Sequence, residues 1–165
     1  MGYQLIEHIE VGAGGVSSIE FTGIPQDGVD LVLMLSLRGD TNPDMRFNND
    51  SSANYSYTLM RGFGSGITND AAGAQNRIYL TALSNNQSTT TANTFSNVKI
   101  YISNYASSVA KSVSIDGVTE NNATSAVATI SAESWNNSSS ITSIRVFTNP
   151  INEFSTASLY KITAD

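Results

Sequence analysis

Residues 97–103, NVKIYIS, decide the fold class of this chain. Val98, Ile100 and Ile102 fall on one face of an extended segment, and the residues between them fall on the other. This period of two is typical of a half-buried β-strand and does not match the helical period. Residues 111–118 repeat the alternation, which predicts a second strand of the same kind.

The neighbouring sequence is built from short units of about five to nine residues, rich in Val, Ile, Tyr, Phe and Thr and separated by Gly, Asn, Asp and Ser. Residues 3–11 and 16–21 flank the glycine-rich segment 12–15, which predicts a hairpin with a glycine turn. Residues 30–37 are apolar on both faces, and this predicts a central strand covered from both sides. Residues 62–66 predict a flexible turn.

Polar loops are predicted for residues 68–76 and 84–91, with a strand over 77–83 between them. Residues 123–131 are the one window that could suggest a helix, but their Val, Thr and Ile content favours a strand. We therefore expect about nine to eleven strands. The chain is interpreted as all-β, a single domain over residues 1–165 with a jelly-roll-like antiparallel β-sandwich.

The composition excludes several functional classes. Charged residues make up 13% of the chain and the net charge is −6, which disfavours nucleic-acid binding because that requires a basic surface. No apolar run approaches the roughly 18 residues of a membrane-spanning helix, and no secretory signal is visible. Ser, Thr and Asn account for 57 of 165 residues, and cysteine is absent. These features indicate a hydrogen-bonding β-surface that matures in a reducing cytoplasm.

Residues that could support catalysis or metal binding are sparse. His8 is the only histidine, so a zinc site is not expected, and no serine lies in a G-x-S-x-G motif. Asp40, Asp44 and Asp50 could offer oxygen ligands to calcium, but their spacing does not match an EF-hand and turn formation explains them more simply. We expect no enzyme activity, no metal and no cofactor. A polysaccharide hydrolase stays a remote alternative because no acid/base pair is visible.

Polar and aromatic residues in predicted loops are the candidates for an interface or a ligand site. Trp135 could stack on a sugar or anchor a protein contact if it lies in an exposed loop, but a half-buried core position is the more common one for a tryptophan. The full candidate set is Arg38, Asp40, Asp44, Arg46, Asn48, Asp50, Phe63, Trp135, Asn136 and Asn137.

Several segments resemble a widespread group of small bacteriophage virion proteins from phages of cyanobacteria and other marine bacteria. They are LSLRGDTNPDMRFNND, NYSYTLMRGFGS, ANTFSNVKIYISNYASSVAKSVSID, ENNAT and the closing FSTASLYKI, where Phe154 replaces the usual Tyr and Lys161 stands where Gly is common. The resemblance covers essentially the whole chain and implies a jelly-roll-like domain on the particle. Members of this group look like tail-appendage domains in some phages and head-surface proteins in others.

The resemblance implies a non-enzymatic structural protein of the virion surface, assembled in the bacterial cytoplasm. We expect a capsid decoration protein that binds the major capsid protein or other virion proteins. A receptor-binding fibre generally needs a shaft or an anchoring segment, and the strands predicted from about residue 3 to about residue 163 leave no residues for one. The alternative is a tail or fibre protein that binds host glycan. A homo-oligomer is expected, and a trimer is consistent with phage surface symmetry.

Overall fold

The computed structural model describes residues 2–80, 91–120 and 126–164, and this part of the chain contains twelve β-strands. They are β1 (Gly2–Glu10), β2 (Val16–Thr22), β3 (Asp30–Ser36), β4 (Asp44–Phe47), β5 (Tyr55–Phe63), β6 (Gly66–Gln75), β7 (Ile78–Tyr79), β8 (Asn97–Ile102), β9 (Lys111–Glu120), β10 (Ala126–Trp135), β11 (Ser143–Ile151) and β12 (Thr156–Thr163). No helix in these ranges is long and apolar enough to cross a membrane.

The strands form two antiparallel sheets that pack as a sandwich. The large sheet has the order β1-β12-β3-β8-β9-β10-β5-β6, and the small sheet has the order β2-β11-β4-β7. The four strands β1-β12-β3-β8 of the large sheet correspond to the four strands of the small sheet. Followed along the chain, these eight strands alternate between the two sheets, except that β4 and β7 both lie in the small sheet. This is the strand order of a jelly roll. The predicted all-β sandwich is confirmed.

Four strands are additional to the jelly roll. The β5–β6 hairpin is inserted between β4 and β7, and the β9–β10 hairpin is inserted between β8 and β11. Both hairpins join the large sheet beyond β8, in the order β9-β10-β5-β6, and we call these four strands the sheet extension. The predicted number of strands is too low because most of β6 was predicted as a polar loop.

The core lies between the sheets, where the alternating residues predicted to share a face are found. Val98, Ile100 and Ile102 are buried, as are Val113 and Ile115 on the neighbouring strand. Residues 126–131 of the window that could have suggested a helix lie in β10, and residues 123–125 lie outside the described residues. Burying one aliphatic side chain of this size contributes about 1.5–3 kcal/mol before the entropic cost of ordering it, so this row is a major source of stability.

The structure corrects two strand predictions. Residues 3–11 and 16–21 do not form a hairpin, because β1 belongs to the large sheet and β2 to the small sheet. The glycine segment is a corner between sheets, and at Gly15, with φ of 69°, a Cβ would lie 2.6 Å from the Ile151 carbonyl oxygen. β3 is internal to its sheet, but it is not covered on both sides along its length because Met34 is exposed.

The predicted polar loop over residues 68–76 is also wrong. Most of it lies in β6, a ten-residue strand whose side chains are almost all exposed. Of the strand predicted over 77–83, the structure shows the two-residue β7, while residues 81–83 and most of the loop predicted over 84–91 lie outside the described residues.

Candidate functional site

One end of the sandwich is closed by a hydrogen-bonded network around Asp50. The Trp135 indole Nε1 donates to Asp50 Oδ2 at 2.8 Å, and Asn54 Nδ2 donates to the same oxygen at 2.9 Å. The Ser52 backbone N–H donates to Oδ1 at 2.9 Å. Burial opposes ionisation of Asp50, but these hydrogen bonds outweigh it and hold the pKa of the carboxyl well below its usual range. Asp50 therefore connects β10 to the loop after β4.

Trp135 is a core residue, so the core position considered in the sequence analysis is confirmed and its place among the candidate ligand residues is wrong. Its side chain is 0% exposed, and its ring stacks on Tyr55 and meets Phe47 edge-on. The Lys111 ammonium lies 5.9 Å from the ring centroid and donates to the carbonyl oxygens of nearby loop residues. The segment read as a loop is the buried end of β10, so Trp135 cannot bind a ligand without unfolding this end.

The candidate asparagines also serve the closed end. Asn48, with φ of 53°, accepts hydrogen bonds from the backbone N–H groups of Thr142 and Ser143 through Oδ1. Asn137 accepts from the Ser139 N–H at 2.8 Å, while Asn136 is exposed and its backbone N–H donates to the Asn54 carbonyl. These residues fix turns, and the geometry gives them no converging donor set for a ligand.

The carboxylates considered for calcium do not converge. Asp44 lies on β4 and forms an ion pair with Arg77 Nε at 2.9 Å, and burial raises its pKa while that guanidinium opposes the rise. Arg46, on the same strand, donates to the Asn76 carbonyl and lies over the Phe147 ring. Asp40 is exposed in the loop after β3. Among the described residues, no group of three His, Asp or Glu side chains could hold a metal ion.

Arg38 lies at the opposite, open end of the sandwich, where four connections meet around a cleft of about 490 Å³. Gly15 comes from the β1–β2 corner, Arg38 follows β3, and Asn93 and Phe95 precede β8. Pro150 lies near the end of β11, and residues 152–154 lie in the β11–β12 turn. Backbone hydrogen bonds from Asn152 N to the Arg38 carbonyl and from Val11 N to the Ser155 carbonyl, each 2.9 Å, join these connections. We call this feature the loop-end cleft.

Both the backbone conformation and the solvent exposure of Phe154 in the loop-end cleft are energetically unfavourable. Its backbone is left-handed, with φ of 64°, where a non-glycine residue costs roughly 1–2 kcal/mol. Its side chain is nevertheless 64% exposed, so the ring recovers little of that energy by packing. Asn93 at the facing rim has φ of 62°, a conformation that asparagine tolerates better. Backbone strain of this kind concentrates at functional sites.

A second surface candidate is the outer face of the sheet extension. The pairings Val118↔Ala128, Ala128↔Gly62 and Gly62↔Ile67 form one row across its four strands. In the adjacent row, Ile130 pairs with Met60 on one side and Asp116 on the other. Val118, Ile130, Met60 and Ile67 are all exposed, Ile67 to 75%. We call these four residues and Ala128 the apolar strip.

Phe63, the candidate from the β5–β6 turn, lies on the opposite face of the extension from the apolar strip. It pairs with Gly66 at the tip of the hairpin and is exposed. The turn itself is as predicted, with Gly64 at φ of 56°. Phe63 is thus a surface residue that does not line the loop-end cleft.

Beneath the apolar strip, the inner face of β10 carries a buried polar row. Ser131 Oγ donates to Glu133 Oε1 at 2.7 Å, while Glu133 Oε2 and Thr129 Oγ1 are buried without a hydrogen-bond partner. Glu133 is 5% exposed, and burial raises its pKa to about 8 in spite of the hydrogen bond from Ser131. This raised pKa favours the protonated carboxyl near neutral pH, and a neutral group suits a buried position better than a charge does.

Of the residues that form the two surface candidates, the sequence analysis named Arg38, which lines the loop-end cleft, and missed the others. Ile130 could have been found, because it has the opposite parity to the buried Val127 and Trp135 and so places an aliphatic side chain on the outward face of β10. Phe154 is harder to find, because an aromatic residue in a polar turn segment carries no periodic signal. Met60 could not be identified from the sequence, because it belongs to the apolar strip only through its pairing with Ile130 on the neighbouring strand.

Comparisons with protein-family models, with curated proteins and with solved structures give no match for this chain.

Proposed function

We propose that this chain is a non-enzymatic structural protein of a bacteriophage particle, a capsid decoration protein that docks through the apolar strip. The observation that supports this docking surface is that four exposed apolar residues lie side by side on one sheet face: Ile130, Met60, Val118 and Ile67. Contiguous apolar surface exposed to water is costly, and it marks interaction sites in folded proteins. The resemblance of the sequence to small phage virion proteins supports the assignment to a particle.

The charges around the apolar strip suit a flat protein partner. Across the two rows that contain the strip, the charged residues are Asp116 and Lys99, which pair with each other. A nearly neutral face can dock on a capsid lattice without desolvating unpaired charge. At many equivalent positions on a particle, a modest individual interface is enough, because multiple contacts reinforce one another.

The copy number in purified particles tests the position of the protein. Quantitative mass spectrometry against the major capsid protein is expected to give a ratio near one copy per capsid subunit or one per three. A ratio of a few per hundred would contradict decoration and would instead support a tail position. Absence from particles would overturn the assignment to a virion.

The docking surface is tested separately by a double substitution in the apolar strip. Met60→Ser with Ile130→Ser is expected to lower incorporation into particles by more than tenfold, while the purified variant keeps its β-sheet circular dichroism and its Tm to within about 5 °C. Leu5→Ser is the matched control, because Leu5 is an equally exposed aliphatic residue on the far edge of the same sheet. Equal loss with Leu5→Ser, or no loss with the double variant, would exclude the strip as the docking surface.

A further inference from the structure

The rim of the loop-end cleft carries polar side chains that the fold itself does not use. The side chains of Asn93, Asn152 and Glu153 hydrogen-bond no other described residue, and Asn93 and Glu153 are exposed. With the ring of Phe154, they place two amides, one carboxylate and an aromatic face around one opening. Groups that converge on a cleft without partners are available to a ligand.

The backbone of the cleft, in contrast, is already satisfied. Phe154 N donates to the Val11 carbonyl at 2.8 Å, and Asn152 N donates to the Arg38 carbonyl at 2.9 Å. Gly15 N donates to the Gly12 carbonyl at 3.2 Å. An extended peptide that binds by strand addition needs free backbone donors and acceptors, which these groups do not provide. Recognition in this cleft therefore depends on side chains.

The wall that carries Asn93 and Phe95 is held in place before any ligand arrives. Arg38 Nη1 donates to the carbonyl oxygens of Thr91 and Thr94, each at 2.9 Å. Glu120 accepts hydrogen bonds from Thr91 N at 2.6 Å and from Thr94 Oγ1 at 2.7 Å. A fixed wall reduces the entropic cost of binding.

We propose that the loop-end cleft is a carbohydrate-binding site in which one pyranose ring stacks its C–H face on Phe154. Asn93, Asn152 and Glu153 would bind its hydroxyl groups as donors and acceptors. Among the described residues that line the cleft, Arg38 is the cationic and Glu153 the anionic side chain, so this charge balance favours a neutral ligand over a phosphate or another anion. The volume of about 490 Å³ lies within the range of sites for small ligands.

This inference goes beyond the proposed docking role, and it uses a surface that shares no residue with the apolar strip. It also explains why an exposed phenylalanine occupies a left-handed backbone position where glycine would be unstrained. If Phe154 served only the fold, glycine at this position would lower stability. If it serves a ligand, glycine preserves the fold and removes binding.

The test is titration of the purified, ¹⁵N-labelled chain with methyl α-glucopyranoside, methyl α-mannopyranoside, N-acetylglucosamine and rhamnose, followed by amide chemical shifts. We expect at least one sugar to bind with a millimolar Kd or tighter and to shift the amides of Gly15, Asn93, Asn152 and Phe154. Phe154→Gly is expected to weaken that binding at least tenfold without lowering the Tm. Phe63→Ala, at an exposed phenylalanine outside the cleft, is the matched control and should bind as the unchanged chain does.

Three outcomes would overturn the proposal: no shift at the cleft with any of the four sugars, binding that survives Phe154→Gly, or a Phe154→Gly variant that loses several degrees of Tm together with binding. Asn93→Gly provides a second variant whose stability is expected to be kept, because glycine adopts the Asn93 φ of 62° without steric strain. Incorporation of Phe154→Gly into particles separates this site from the docking role, since that variant should still be incorporated.

Discussion

At the scale of single residues, Asp50 stabilises the closed end of the sandwich by accepting the hydrogen bond of the buried Trp135 indole. Removing its carboxylate leaves the Trp135 indole N–H, which is shielded from water, without the acceptor that lies 2.8 Å away. An unsatisfied buried donor costs about 1–3 kcal/mol, so Asp50→Ala is expected to lower the free energy of unfolding by that amount. Chemical denaturation followed by Trp135 fluorescence measures it.

Asp116→Ala is the matched control for Asp50→Ala, because Asp116 is an exposed aspartate on the outer face of β9. It is expected to change the free energy of unfolding by less than about 0.5 kcal/mol. If both variants unfold at the same denaturant concentration, the Asp50 network does not stabilise the closed end.

Glu133 makes stability depend on pH in an unusual direction. Because burial raises its pKa from 4.5 to about 8 in the folded state, the folded chain binds more protons than the unfolded chain between these values. Stability contributed by the protonated carboxyl is therefore fully present below pH 4.5 and is lost as pH rises towards 8, by at most about 1.4 kcal/mol per pH unit.

Glu133→Gln removes this titration and retains a neutral side chain of similar shape. We expect the Tm of the variant to exceed that of the unchanged chain at pH 8 to 9 and to match it at pH 5. Thermal unfolding across this range, with both proteins in the same buffers, measures the difference. Parallel Tm profiles for the two proteins would show that Glu133 is ionised in the folded state at neutral pH.

At the scale of elements, strands with one buried face could be predicted from the sequence and the exposed strand β6 could not. β8 and β9 alternate because one side of each faces the core, so the period of two is written in their residues. β6 has no buried face and hence no period, and it forms because β5 offers a backbone partner along its length. The β1–β2 corner was missed for a related reason, since a glycine turn looks the same whether the strands pair or separate.

The two edges of the large sheet differ in how well they are protected from other strands. β1 carries Glu7, His8 and Glu10 and has an irregular register between Leu5 and Glu7, features that discourage edge-to-edge pairing. β6 carries Asp70 as its only charge, and that carboxylate accepts a hydrogen bond from the Tyr57 hydroxyl. If the β6 strands of two copies paired antiparallel, the electrostatic repulsion between the two acidic chains would be weak at the contact, because each β6 carries one charge.

We therefore expect concentration-dependent self-association through β6, with an even number of copies because such a pair is related by a two-fold axis. Asn69→Lys with Ala71→Lys places like charges on this edge and is expected to abolish association in sedimentation velocity without lowering the Tm. Ser18→Lys with Thr22→Lys on β2, an edge of the small sheet, is the control and should associate as before. A trimer, as expected from the sequence, or a monomer at all concentrations would contradict pairing through β6.

At the scale of the whole molecule, the sequence predicted the fold class and the jelly-roll type of sandwich, but not the arrangement of the strands. Val98 and Ile144 both indicate strands with a buried face, yet no local feature shows that β8 belongs to the large sheet and β11 to the small one. That choice depends on pairings between distant segments. The loop-end cleft and the apolar strip were unpredictable for the same reason, because the cleft joins residues from four connections and the strip joins residues from four strands.

The same arrangement predicts a gradient of stability across the molecule. β3 and β12 lie inside the jelly roll and bury Leu31, Leu33 and Leu159 completely, while β6 is held by β5 alone and buries almost nothing. Amides in β3 and β12 should exchange with solvent only through global unfolding, and those in β6 should exchange through local opening at far lower free energy.

Native-state hydrogen exchange measures this gradient, and the variant with Asn69→Lys and Ala71→Lys is the protein to use because pairing between copies cannot then protect β6. We expect the free energies of exchange to fall from β3 through β9 and β10 to β6. Equal protection in β6 and β3 would mean that the sheet extension and the jelly roll unfold as one cooperative unit. A gradient would mean that the face bearing the apolar strip can adjust to a partner while the core and the loop-end cleft stay folded.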